Sequence, residues 1–176
     1  MCSETPYERV GRRTQAIYIV SYIIIIMAGV IKSLSLNMLP LTNIKQKTLS
    51  QTYNSYFELV NRTLEVKRKN PKLTQVQLHH LTYNTFRKQY KLPAQLIVSA
   101  RVNAWNIRKQ KGVRKRVCVR FDKRLFSFKK TKRNNPILSI RCNNSRIGLP
   151  IAQDGAYQRF QQHLNDGWNV SSIIMT

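Results

Sequence analysis

LPAQLIVSARVNAWNIRKQKG (residues 92–112) runs directly into VRKRVCVRFDKRLFSF (residues 113–128). In the first segment Leu96, Ala100, Ala104 and Ile107 recur at steps of three and four, the period of one helix face. In the second, Val117, Val119 and Phe121 alternate with Cys118, Arg120 and Asp122, the period of a strand. This change of period predicts an α+β fold with its helices ahead of its strands. Asp122 is the one carboxylate between Arg101 and Lys130, in a run dense with Lys and Arg. A basic helix that passes into a basic strand pair is the feature any function has to explain.

Working toward the N-terminus, Leu92-Pro93 separates this helix from an earlier one, with Pro93 suited to a first helical turn. Thr74-Gln75-Val76-Gln77 predicts the start of that earlier helix as a capping box. Leu78, Leu81 and Phe86 then face inward, and Tyr90 closes the helix. Before it, a helix is predicted from about Asn43 to Lys67, with Leu49, Tyr53, Tyr56, Phe57, Val60 and Leu64 on one face. Lys67-Arg68-Lys69 followed by Asn70-Pro71 supplies its stop signals. His79 and His80 are adjacent and point to different sides, so they make no i, i+4 metal pair.

Working toward the C-terminus, Asp122-Lys123-Arg124 predicts a turn, with Leu125, Phe126 and Phe128 returning to complete a hairpin. PILSIRC and RIGLPI predict a second hairpin around Asn143-Asn144-Ser145. Ala156 to Leu164 reads as a short helix with Tyr157, Phe160 and Leu164 inward, carrying His163 on its surface. WNVSSIIMT follows the Asp166-Gly167 turn as a last strand, expected to lie as an open edge. Short strands with regular turns point to a small β-barrel or curled sheet. Trp105 and Trp168 could stack on bases, but a core role is preferred because of the area that tryptophan buries.

The N-terminal region supports several readings. Ala16 to Ile31 is uncharged and apolar, 16 residues long, against about 20 for a membrane span. A basic leader before it also resembles a signal peptide, but the basic chain that follows argues against export. The preferred reading begins the natural protein at Met27. Residues 1–26 are then an apolar extension foreign to the fold. VIKSLSLNMLPL opens it as a strand, Leu34, Leu36 and Met38 alternating with Ser33, Ser35 and Asn37. The organisation expected is thus 1–26 extension, 27–41 first strand, 42–112 helical region and 113–176 β region.

The chain has 176 residues, 42% of them hydrophobic, which is enough for a packed core. Its 31 Lys and Arg stand against 7 Asp and Glu, a formal charge of +24. Such a surplus repels itself in a compact fold and is accommodated beside a polyanion. Nucleic acid leads as partner, with an anionic membrane second and a membrane anchor not favoured. Cys2, Cys118 and Cys142 lack C-x-x-C spacing and are odd in number, which suits reduced thiols in the cytoplasm. No Gly-rich phosphate loop, nucleophile elbow or Ser-His-Asp pattern is present. Two helices with a tight joint also suit a helix-turn-helix regulator, in which Gln75 and Gln95, near the starts of their helices, are candidate adenine readers.

Taken in order, these pieces resemble the N-terminal half of TnpB proteins, the OrfB-type transposon-encoded relatives of compact type V CRISPR effectors. The resemblance covers residues 27–176. It rests on the opening strand with LPLTNIKQKTLSQTYNSYFELVN (39–61), on LPAQLIVSARVNAW (92–105), and on VRFDKRLFSF (119–128), NNSRIGLPI (143–151) and GWNVSSIIM (167–175). It implies a helical recognition bundle inserted in a small wedge-type β-barrel, truncated before a RuvC-like nuclease domain. The family are RNA-guided DNA endonucleases, so the implied partners are a guide RNA scaffold and target DNA. Their nuclease half uses divalent metal and zinc. This chain has only Glu58, Glu65, Asp122, Asp154 and Asp166 after Met27, with no arrangement fit to gather metal ions. No cofactor and no cleavage activity is therefore expected of it alone. The resemblance marks Gln75, Lys91 and Gln95 as readers of a motif flanking the target. The phosphate surface expected comprises Arg101, Arg108, Lys109, Lys111, Arg114, Arg116, Arg120, Lys123 and Arg124.

Overall fold

The computed structural model describes residues 20–109, 117–143 and 145–175. Among them, α1 (Asn43–Lys69), α2 (Gln75–Gln89) and α3 (Ala94–Ile107) follow a first pair of strands, β1 (Val20–Met27) and β2 (Val30–Asn37). Then come β3 (Val119–Asp122), β4 (Phe126–Lys130), β5 (Pro136–Arg141), β6 (Arg146–Pro150), α4 (Gly155–Asn165) and β7 (Asn169–Met175). The fold is α+β. Its strands make two antiparallel sheets, ordered β2-β1-β7-β3 and β4-β5-β6.

Local chemistry sets the helix limits. Thr74 Oγ1 accepts from the Gln77 backbone N–H, and Gln77 Oε1 accepts from that of Thr74, so α2 begins on the predicted capping box. At the end of α1, Lys67 Nζ donates to the carbonyls of Pro71 and Leu73, which ties the following turn to the helix. The inward face of α1 carries Tyr56, Leu59, Val60 and Leu64. It packs against Leu96, Ile97, Ala100 and Ala104 of α3, where the alanines let the helices approach. In α2, Leu81 is 57% exposed and Thr82 is buried in its place. The Thr82 hydroxyl donates to the Leu78 carbonyl, which satisfies it inside the core. Leu164 of α4, expected inward, is also exposed, while Tyr157 and Phe160 are buried.

The sheets differ from the sequence reading in four ways, each with a physical cause. First, the expected boundary between residues 26 and 27 falls inside β1. This strand is interior: Ile23 and Ile25 are fully buried, and it pairs with both β2 and β7. A two-residue turn of Ala28 (φ 48°) and Gly29 (φ 81°) joins it to β2, the left-handed pair that matches hairpin twist. The stretch 20–31 is therefore a hairpin, and no helix among the described residues is long and apolar enough to cross a membrane. Second, β7 lies between β1 and β3 and is not an open edge. A bulge at Ser171, whose hydroxyl donates to the Ile24 carbonyl, bends the β1–β7 pair.

Third, β3 and β4 do not pair as a hairpin. The turn at Asp122-Lys123-Arg124 forms, with Asp122 Oδ1 accepting from the Arg124 N–H. It carries the chain from one sheet to the other: β3 pairs with β7 and β4 with β5. Fourth, neither sheet is closed into a barrel among the described residues. They meet instead at an isolated bridge, Met38 to Ile151, with Leu39 N donating to the Pro150 carbonyl and Ala152 N to that of Asn37. The second predicted hairpin, β5 with β6, forms as expected. Asp154 caps α4, its Oδ1 accepting from the Ala156 and Tyr157 N–H groups.

Candidate nucleic-acid interface

Lys91 lies in the joint between α2 and α3 and lines a polar groove. One wall is α1, which presents Thr48, Gln51, Asn54 and Ser55; the other is the β5–β6 connection, which presents Asn143 and Ser145. The α1 residues share one face because they fall at helical spacing. Asn143 is anchored by its N–H, which donates to Thr52 Oγ1 at 3.4 Å. Its side-chain Oδ1 is buried without a hydrogen-bond partner. Six uncharged polar side chains thus surround one ammonium.

Two arginines flank the β5–β6 connection in sequence. Arg141 and Arg146, at the ends of β5 and β6, are direct partners in the ladder, and both are exposed. Arg146 donates weakly to Ser127 Oγ and to the Arg124 backbone carbonyl, 3.4 Å in each case. Like charges placed opposite each other in a ladder destabilise it. A polyanion against this edge removes that cost.

A second groove lies between α3 and β3, with Gln95, Ser99, Asn103 and Arg120 among its walls and Tyr56 at its base. Much of its polar row is occupied internally. Ser99 Oγ donates to the Arg120 carbonyl at 3.1 Å and Asn103 Nδ2 to the Cys118 carbonyl at 3.3 Å, stitching helix to strand. Tyr56 Oη reaches Ser99 Oγ at 3.3 Å, and burial pushes its phenol pKa up. Lys91 and Gln95, four residues apart in sequence, thus serve different grooves.

The predicted cations do not form one surface. Arg101 is half-buried and donates to the Gln75 carbonyl at 3.3 Å, so it fastens α3 to the start of α2. Its Nε is buried without a partner, and burial lowers its pKa. Gln75 is itself half-buried at that contact. Loss of solvation, and then the Arg101 charge, lower the His79 pKa. Arg108 stacks over Trp105, its Cζ 4.1 Å from the ring centroid, with the Lys67 ammonium also over that ring at 5.1 Å. Arg101 and Arg108 are thus half-buried and engaged in internal contacts. Lys109, Arg120, Lys123 and Arg124 are exposed. Lys111, Arg114 and Arg116 lie outside the described residues. Trp168 is in the core as expected, with Lys32 over its ring, while Trp105 is only half-buried.

Sequence reasoning missed Arg141 and Arg146, which no local pattern singles out, because only the strand register sets them opposite each other. It also missed Lys129, Lys130, Lys132 and Arg133, although their spacing as a run was a legible signal. Among the described residues no group of three or more His, Cys, Asp or Glu side chains is placed to hold a metal ion. No protein-family model matches the chain, and no curated protein matches it.

Proposed function

We propose that this protein binds nucleic acid as the N-terminal recognition portion of a TnpB-like, RNA-guided system. In that reading it holds a guide RNA scaffold and the target DNA, in the cytoplasm, and does no cleavage itself. The two sheets, bridged at Met38–Ile151, are then an open counterpart of the family's wedge barrel. The observation that carries the reading is the Arg141–Arg146 pair beside the Lys91 groove. Arginines face each other across a ladder, next to a groove rich in amide and hydroxyl groups. Phosphate on the arginines and base edges on the groove would satisfy both.

In this account Lys91, with Gln51 and Asn54 of α1 and Asn143 of the β5–β6 connection, reads a short duplex motif. Gln95 belongs to the neighbouring groove with Arg120. Base pairing by the guide supplies the rest of the specificity, as in RNA-guided recognition generally. Selection of bound sequences from a randomised duplex library, with and without RNA extracted from the purified protein, tests the assignment. Enrichment of a short motif that depends on the RNA is expected. Enrichment of a longer site by the RNA-free protein would replace it with a stand-alone DNA-binding regulator.

A further inference from the structure

We infer that the connection between β4 and β5 is a second nucleic-acid contact, a rigid finger that grips the phosphate backbone of a duplex without reading sequence. The inference rests on the nucleic-acid-binding reading above and adds to it a site on the opposite end of the second sheet. The finger carries Lys129 and Lys130 at the end of β4, and Lys132 and Arg133 in the turn. All four are exposed, and no side chain of the four makes a hydrogen bond or ion pair to a described residue. Their neighbours across the ladder offer no counter-charge: Lys129 faces Ile137 and Lys130 faces Pro136.

The backbone that presents these cations is tightly determined. Thr131 N donates to the Asn135 carbonyl and Asn134 N to the Thr131 carbonyl, both at 2.9 Å. Thr131 Oγ1 accepts from the Asn135 N–H at 3.0 Å. Asn134 takes the left-handed conformation, φ 61°, that asparagine tolerates. Gln153 Nε2 donates to Asn135 Oδ1, and Ile151 N to the Pro136 carbonyl, which clamp the base of the finger to the segment after β6. Four cations on a closed turn lose little backbone entropy when they bind, the advantage of preorganisation.

The chemistry of the tip selects the ligand. Single-stranded nucleic acid is held by aromatic platforms on which bases stack. The finger has none: residues 129–135 are Lys, Lys, Thr, Lys, Arg, Asn and Asn. The nearest ring in sequence, Phe128, packs against Phe126 and Phe160. Phosphate is left as the target. The groove residues Asn143 and Ser145 follow the far end of β5, a six-residue strand, which sets the two sites about 20 Å apart. At about 3.4 Å per base pair this separation is about six base pairs, so a duplex of one turn or more reaches both.

The test replaces Lys129, Lys130, Lys132 and Arg133 together by Gln in the full chain. Binding of 12-base-pair and 36-base-pair DNA and RNA duplexes, and of oligo(dT), is measured across a salt series. For duplexes of both lengths the variant is expected to lose affinity, and the slope of log K against log salt to fall in magnitude by about 3. Oligo(dT) binding falls less, and the thermal midpoint stays unchanged. Loss on DNA alone assigns the finger to the target duplex, and loss on RNA alone to a folded guide. Replacing the three lysines by arginine retains binding. An unchanged slope, or a loss confined to oligo(dT), overturns the finger while leaving the Lys91 groove standing. Failure of the unmodified protein to bind any of these probes overturns the nucleic-acid reading itself.

Discussion

Arg141 stands directly across from Arg146 in the β5–β6 ladder, and the connection between them carries the groove residues Asn143 and Ser145. This pairing opposes stability and serves binding, so the two properties should move in opposite directions on mutation. Arg146→Thr is expected to stabilise the free protein by about 0.2–1 kcal/mol, the range for cross-strand pairs. The same change should weaken nucleic-acid binding and reduce its salt dependence by about one phosphate contact. Thermal unfolding and a salt titration of duplex binding check the two halves together.

The Lys91 groove should control selectivity more than affinity. Asn143→Ala removes a buried acceptor that lacks an internal partner, so the folded protein should lose little. Lys91→Ala and Asn143→Ala should each cost about 1–3 kcal/mol of discrimination between duplexes that differ in the flanking motif. Competition binding between preferred and scrambled duplexes measures this. Equal losses for both sequences would make these residues simple phosphate contacts.

The β1–β2 hairpin is expected to be essential to the fold. A chain that starts at Met27 lacks Ile23 and Ile25, both fully buried, and deprives β2 and β7 of their shared neighbour. Such a chain should not unfold cooperatively. Conversely, Ala28 occupies a left-handed position that suits glycine. Ala28→Gly should raise stability by about 1 kcal/mol through relief of that strain. Denaturant unfolding of both variants is the measurement.

Acid should loosen α4. Asn37 Nδ2 donates to Asp154 Oδ2 at 2.7 Å, and with the two capping N–H groups it holds the Asp154 carboxyl pKa below its ordinary value. A carboxyl whose folded pKa is depressed stabilises the fold fully above its unfolded pKa of about 3.9 and loses that contribution as pH falls through the folded value. Asp154→Ala should cost about 1 kcal/mol at neutral pH, and the difference from the parent protein should shrink below about pH 4. Unfolding curves at pH 7 and at acid pH test the sign.

Local signals were legible in the sequence, and long-range ones were not. The capping box at Thr74 and Gln77, the helix stop at Lys67–Lys69 and the β5–β6 hairpin depend on neighbours a few residues apart. The pairing of β3 with β7, and of β1 with β7, depends on residues at opposite ends of the chain, and an apolar run such as YIIIIM carries no mark of its partner. Burial of Thr82 in place of Leu81 was hidden because a threonine can satisfy its hydroxyl within its own helix. The charge pointed to a polyanion from composition alone. The groove did not, because Thr52 and Asn143, which meet at its base, are 91 residues apart. That Arg101 reaches the Gln75 carbonyl at the start of α2 was likewise hidden, because the two are 26 residues apart.

The most direct test of the central claim is to sequence the RNA that remains with the protein after purification and a wash in moderate salt. A single structured RNA species, retained by the parent chain and lost on charge reversal of Arg141 and Arg146, is the predicted result. A mixture of bulk cellular RNA that washes away would contradict it and leave only non-specific attraction of a basic protein for polyanions.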